Sequence, residues 1–212
     1  MTELKTFVFN PFGVNTYIIY RQNAEGFIID AACMDEGESR QVIDFIENEK
    51  INIKGLLNTH CHVDHLLGVE YLRNHFSTEF YCCEEDQFLI DNSKAQGQFF
   101  GLKVNKPSRP DRYISESDRL FLNDGEIDIM HVPGHSPGSV VFFLKDEKKL
   151  FSGDVLFSGS IGRTDLPGGD YKVLVEGIKE KLLILDNETE VFPGHGPSTT
   201  IGNEKFLNPF LQ

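Results

Sequence analysis

Apolar and polar positions along this chain fall into blocks that read as strands, a helix and a strand, and then the same series again. In the first half, "TFVFN" (6–10) is strand-like and is followed by a turn at "PFG". "NTYIIY" (15–20) and "GFIID" (26–30) continue the pattern around the polar "RQNAE". "SRQVIDFIENEK" (39–50) places Val42, Ile43, Phe45 and Ile46 at helical spacing, with charge on the remaining face. "IKGLLNT" (53–59) reads as a buried strand, and a helix is predicted from Leu66 to about Phe76. "EFYCC" is a further short strand and "EEDQFLIDN" a further helix. The pattern then breaks over 95–113, "AQGQFFGLKVNKPSRPDRY", where two glycines and two prolines predict a long loop. A functional loop and a plain surface excursion fit it equally.

The second half repeats the plan. "DRLFL", a turn at "NDG" and the alternating "EIDIMHV" predict a hairpin. "GSVVFFL" and "KLFSGD" predict another across "KDEK". Tyr171, Leu174, Val175, Ile178 and Leu182 share one helical face. "TEVFPGHG" is a last strand ending at a glycine-flanked histidine. Two similar halves packed sheet to sheet, with helices outside, fit this order.

Composition narrows the class. A chain of 212 residues, 40% hydrophobic and 25% charged, has the make-up of an ordinary globular protein of one well-buried domain or two small ones. No apolar run approaches the roughly 20 residues of a membrane span. The start, "MTELKTFVFNPFG", lacks the basic and apolar blocks of a secretory signal, so a cytoplasmic location is expected. A net charge of −13 argues against nucleic-acid and anionic-membrane partners. Cys33, Cys61, Cys82 and Cys83 have no framework spacing and read as reduced thiols. A monomer and a homodimer fit equally.

The candidate chemistry is concentrated in "NTHCHVDHLLG" (58–68), where His60, His62, Asp64 and His65 lie within six residues. If the segment is extended, His60, His62 and Asp64 point to one side. His65 then reaches round from the start of the following helix. Asp64 read as a helix cap explains one residue and leaves three crowded imidazoles unexplained. Several nitrogen and oxygen donors near one point suit zinc or iron. A catalytic metal also needs ligands from elsewhere, and the second half offers His135 in "PGHSPGS", Asp154 in "FSGD" and His195 in "PGHGP". Each follows a strand-like run and sits among glycines and prolines that permit tight turns. His75 and His131 read as structural.

With these residues assembled, the chain resembles the metallo-β-lactamase fold superfamily over nearly its whole length. The resemblance is carried by the signature H-x-H-x-D-H, here "HCHVDH", and by the separate His135, Asp154 and His195. It implies a four-layer αββα sandwich of α/β class, formed by 1–212 as one domain. It also implies two divalent metal ions, zinc first, with iron or manganese as alternatives. His60, His62 and His135 would hold one ion, Asp64, His65 and His195 the other, and Asp154 would bridge them. Asp30 matches an acidic position that supports the site from behind, although a turn aspartate closing a strand fits too.

The aspartate at 154, where the best-known zinc β-lactamases have cysteine, points to glyoxalase II-like hydrolases. "SGSIGRTDLPGGD" (158–170) and "FPGHGPSTTIGNEKFLNPFL" (192–211) look like their small single-domain members. The C-terminal helical domain that grips glutathione in full-length glyoxalase II is not expected here. The implied reaction is hydrolysis of an acyl thioester, S-lactoylglutathione or a related acyl-thiol. A water shared by two metals, its pKa lowered from about 16 toward neutrality, would attack the carbonyl. Asp64 would orient it. Arg163 would anchor a substrate carboxylate, or else pair internally with Asp165. Phe99 and Phe100 would line the mouth or, more simply, pack inside.

Two other activities share the motif. A mononuclear-iron persulfide dioxygenase would use His60, His135 and Asp154, and a lactone hydrolase would use the same water. A non-catalytic scaffold predicts a missing ligand, and none is missing.

Overall fold

The structure, a computed structural model, describes residues 1–21, 25–102, 104 and 106–212. Part of the "RQNAE" turn and positions 103 and 105 of the 95–113 stretch lie outside the described residues. The chain forms two compact units, Met1–Tyr113 and Ile114–Gln212.

The first unit is built on a six-stranded sheet. Strands β1 (Glu3–Phe9), β2 (Val14–Tyr20) and β3 (Glu25–Ile29) form an antiparallel meander. β4 (Asn52–Leu57), β5 (Phe80–Cys82) and β6 (Arg112–Tyr113) then add in parallel beyond β3. Parallel neighbours need crossovers. The first is α1 (Glu36–Glu49), which buries Val42, Ile43 and Ile46 and is capped by Asp35, whose carboxylate accepts from Glu38 N–H. The second is α2 (Val69–Phe76), which buries Val69 and Leu72. These apolar faces join Ile18, Ile28, Leu56 and Phe80 in one core. Truncating a buried Leu56 to alanine should cost about 2–5 kcal/mol.

Three expectations need correction here. The helix predicted from Leu66 starts at Val69, because a 3₁₀ turn, Val63–His65, intervenes. The 95–113 stretch is not loop from its start. After α3 (Gln87–Asp91), α4 (Ser93–Phe99) runs through its first five positions. Gly97 read as a breaker because of its helix propensity. It lies against Val104 so closely that an added Cβ would meet the valine Cγ2 at 2.3 Å. Phe99 and Phe100 are not packed inside. They are 83% and 40% exposed, and Phe100 meets Phe12 edge to face at 5.4 Å.

The second unit also has a six-stranded sheet. β7 (Arg119–Leu122), β8 (Gly125–His131), β9 (Val140–Leu144) and β10 (Lys149–Gly153) form an antiparallel meander. A two-stranded hairpin, β11 (Leu156–Phe157) and β12 (Ser160–Ile161), lies outside this sheet. α5 (Tyr171–Gly177), capped by Asp170 and extended by a wide turn over Ile178–Leu182, crosses over to β13 (Glu190–Pro193), parallel to β10. β14 (Thr199–Thr200) pairs with β13 and leads into α6 (Ile201–Leu207). Val141, Leu150, Leu156, Leu174, Ile178, Leu182 and Ile201 make the core. Among the described residues no helix is long and apolar enough to cross a membrane.

Strand direction places the candidate ligands. β3 and β4 are parallel, so Asp30 and the 58–65 segment leave the same edge of their sheet. β8, β10 and β13 also share one direction, because β9 is antiparallel to both β8 and β10. His135, Asp154 and His195 therefore follow strand ends at one edge of the second sheet. Carboxyl ends of parallel strands are where α/β sheets bind ligands.

Candidate metal centre

In the first unit, His60, His62 and His65 are buried and packed on one another. The rings of His60 and His62 are 4.9 Å apart, and those of His60 and His65 are 4.1 Å apart. The segment is extended only as far as His62; Asp64 lies in the 3₁₀ turn and caps no helix. Asp64 Oδ2 lies 3.8 Å from His65 Nε2.

Asp30 stands behind this cluster. It is 1% exposed and holds a left-handed backbone, φ 53°, at the end of β3. A non-glycine residue there is strained and persists only where surroundings fix it. Its N–H donates to Leu57 O, and its carbonyl accepts from Thr16 Oγ1. Its carboxylate accepts from Thr59 N–H and Thr59 Oγ1, both at 2.8 Å, and lies 3.1 Å from His65 Nδ1. Asp30 thus lies in direct contact with a candidate ligand.

In the second unit, Asp154 directly follows β10. Its Oδ2 lies 3.7 Å from His135 Nε2 and 3.4 Å from His195 Nε2. The Gly194 N–H donates to Gly153 O, extending the parallel pairing that carries both Asp154 and His195. Gly162 passes so near that an added Cβ would lie 1.9 Å from the Asp154 carbonyl oxygen. His135 sits in a turn braced by Ser136 N–H donating to Ser139 Oγ and by Asp170 N–H donating to Gly134 O.

The hydrogen bonds assign tautomers. A threonine hydroxyl has one hydrogen, and Thr59 gives it to Asp30. Toward His60 Nδ1, at 3.2 Å, the hydroxyl must accept, so that ring is protonated on Nδ1. The Arg163 carbonyl can only accept, so His135 is also protonated on Nδ1, at 2.8 Å. A carboxylate faces Nδ1 of His65. The His60 and His135 rings therefore keep Nε2 as the lone-pair nitrogen, as metal-ligating histidines do when the other nitrogen donates to a fixed acceptor.

The donor spacings agree. Two ligands at about 2.1 Å from one tetrahedral ion stand about 3.4 Å apart. The nitrogen–oxygen separations of 3.4, 3.7 and 3.8 Å match that spacing and exceed ordinary hydrogen bonds. Each cluster thus has the donor chemistry and the spacing a divalent ion needs.

Arg163 does not reach for a ligand in this structure. Its Nε and guanidinium N–H each donate at 2.7 Å to the two Asp165 oxygens, in an exposed fork. The arginine holds the Asp165 carboxyl down, at about 2. Of the two histidines read as structural, His75 lies 3.3 Å from the Glu47 carboxylate and His131 lies 2.7 Å from the Pro137 carbonyl. All four cysteines are free and buried, and burial pushes the Cys33 thiol up to about 11.

Several supporting residues carry no sequence signal. Asn58 donates to the carbonyls of His60 and His65. Asn10 donates to those of Ala32 and Asp64. Asp86 accepts from Cys61 N–H. Only Asn58, two residues before His60, was near enough to the motif to be suspected.

A mixed α/β fold, candidate ligands at strand ends and paired His/Asp clusters define a metal-binding hydrolase, and the chain belongs to the metallo-beta-lactamase superfamily, whose family model matches residues 9–195. Among curated relatives, the hydroxyacylglutathione hydrolase GloC of Haemophilus influenzae is 41% identical over 202 residues, 94% of this chain and 93% of that protein. Two solved structures are similarly near. BLEG-1, described as a B3 metallo-beta-lactamase, is 35% identical with a TM-score of 0.90, over 99% of this chain and 100% of its own. TTHA1623, described in a di-iron-bound form, is 37% identical with a TM-score of 0.88, over 98% and 100%. The expected α/β class of metallo-β-lactamase type is borne out.

Proposed function

We propose that the protein is a dinuclear metallohydrolase that cleaves acyl thioesters, with S-lactoylglutathione or a related acyl-thiol as substrate. In this reading His60, His62 and His135 would hold one divalent ion and Asp64, His65 and His195 a second, with Asp154 available to both. The observation that carries it is the placement of Asp154, whose one carboxylate oxygen stands at ligand-sharing distance from two imidazole nitrogens. The relative named as a hydroxyacylglutathione hydrolase supports the substrate class, since it is matched over 93% of its own length.

When bound, the two cations supply Lewis acidity at the carbonyl and a water acidified at neutral pH. The remaining tasks fall to side chains. Asp64 orients the attacking water. Asp30 and the Arg163 carbonyl keep the His65 and His135 rings turned correctly. The Arg163 guanidinium leaves Asp165 to meet a substrate carboxylate. In the reaction water forms the new C–O bond and the C–S bond breaks; one water proton ends on the released thiol and the other passes to solvent as the product acid ionises. Thiolate leaves readily, so no dedicated acid is required. The reaction is placed in the cytoplasm, with zinc as the first choice of metal and iron or manganese as alternatives.

The relative described as a B3 metallo-beta-lactamase gives a second reading, opening of a β-lactam amide. Metal-loaded protein should be assayed in parallel on S-lactoylglutathione, other acyl thioesters, an acyl-homoserine lactone, a β-lactam, and glutathione persulfide with an oxygen electrode. The expected result is thioester turnover with kcat/KM of at least about 10⁴ M⁻¹s⁻¹ and little elsewhere. A lactone or β-lactam preference, or oxygen uptake on the persulfide, overturns it.

A further inference from the structure

The carboxylate of Glu204, on α6, is 2% exposed and belongs to no ligand cluster. A buried charge needs several donors to be tolerated. Glu204 has three, drawn from three separate segments. Thr199 Oγ1, on β14, donates to Oε1 at 2.6 Å. Gly159 N–H, at the tip of the β11–β12 hairpin, donates to Oε2 at 2.9 Å. Asn208 Nδ2 donates to Oε2 at 2.7 Å and to Ser160 O at 3.0 Å, so it ties the same hairpin a second time.

These segments adjoin all three candidate ligands of the second unit. The hairpin follows Asp154 within two residues and is stitched back by Gly162 N–H donating to Val155 O. It leads directly to Arg163, whose carbonyl fixes the His135 ring at 2.8 Å. Thr199 lies four residues beyond His195 and pairs with Val191 of the strand that ends in the His195 turn.

We propose that Glu204 is a positioning residue for this donor set, acting through the hairpin and β14 on His135, Asp154 and His195. This rests on the reading that those three residues ligate metal. The network uses the carboxylate as an acceptor. A glutamine can reproduce it, with its carbonyl in place of Oε2 and its amide donating to Thr199 Oγ1 after that hydroxyl rotates.

The test compares full-length wild type, Glu204→Gln, Glu204→Ala and Asn208→Ala, the last in case Glu204→Ala does not fold. Zinc affinity is measured by competition with a chromophoric chelator. The His135 and His60 tautomers are read from long-range ¹H–¹⁵N spectra of the zinc-free protein, and the zinc-free melting temperature is recorded. Glu204→Ala should weaken zinc binding about 10–100-fold, the range for lost support behind a ligand. It should also loosen the Nδ1–H tautomer of His135 and leave that of His60 unchanged. Asn208→Ala should move both readouts in the same direction by less, and Glu204→Gln should restore both.

A merely structural role would lower the melting temperature and leave affinity and tautomer alone, which would overturn the proposal. So would a glutamine variant as weak as alanine. Wild type that binds no zinc, iron or manganese would instead sink the metal reading, and the His135 tautomer would still decide whether Glu204 positions that ring.

Discussion

The two units gather imidazole and carboxylate donors by opposite means. The first takes four donors from six consecutive residues and has a buried carboxylate, Asp30, in direct contact with His65. The second takes one donor from each of three strand ends that span 61 positions, 135 to 195. It steadies them with a main-chain carbonyl and a hairpin tied to Glu204. A local cluster already shares a backbone, so its supports, Asp30, Asn58, Asn10 and Asp86, all act on one short segment. A dispersed set depends on the sheet for direction and on several weaker ties for precision.

The sharpest way to break this comparison is at Asp154. Asp154→Ala removes the one carboxylate that stands by both His135 and His195. Steady-state thioester assays should show kcat/KM down by at least about 10³-fold, since metal-derived stabilisation is worth several kcal/mol. A loss under tenfold would place Asp154 outside the chemistry.

Asp30→Ala tests the first unit's support that touches a candidate ligand ring. Thr59 N–H and Thr59 Oγ1 lose a buried acceptor, so stability should fall by about 1–3 kcal/mol in urea titration. Metal affinity should fall about 10–100-fold. Unchanged affinity would separate Asp30 from the ligands it touches.

The glycine pair compares the two scaffolds with matched insults. Gly162→Ala pushes a Cβ toward the Asp154 carbonyl, and Gly68→Ala pushes one toward Cys33 Sγ at 2.1 Å. Each should cost about 1–3 kcal/mol in thermal or urea unfolding. Only Gly162→Ala displaces a ligand's own backbone, so it should lose metal more than Gly68→Ala does. Equal metal loss would argue against that distinction.

The smallest effect is expected at Arg163. Arg163→Met should raise the thioester KM several-fold with kcat nearly unchanged, and stability should barely move, because its pair with Asp165 is exposed. A changed kcat with an unchanged KM would give Arg163 a different task.

Sequence pattern read the first cluster well because its information is local. "HCHVDH" announces itself, and the spacing in α1 shows which face is buried. His135, Asp154 and His195 were legible as strand-end residues, yet nothing local says that β8, β10 and β13 run the same way; sheet pairing decides that. The supports were mostly hidden. Glu204 looks like any helix glutamate, and only tertiary packing buries it. Asn10 and Asp86 act across 54 and 25 positions, beyond any motif. The short pairs β6, β11, β12 and β14 have two residues each, too few for a period to register. α4 was missed because Gly97 and the paired phenylalanines masked a helical stretch.

The central proposal is that the chain holds a pair of divalent ions. Elemental analysis of freshly purified wild type and of Asp154→Ala, run at known chain concentration, addresses it most directly. Two divalent ions per wild-type chain, falling to one or none in the variant, is the expected result. A wild type carrying no metal, or two ions that Asp154→Ala leaves in place, would contradict it.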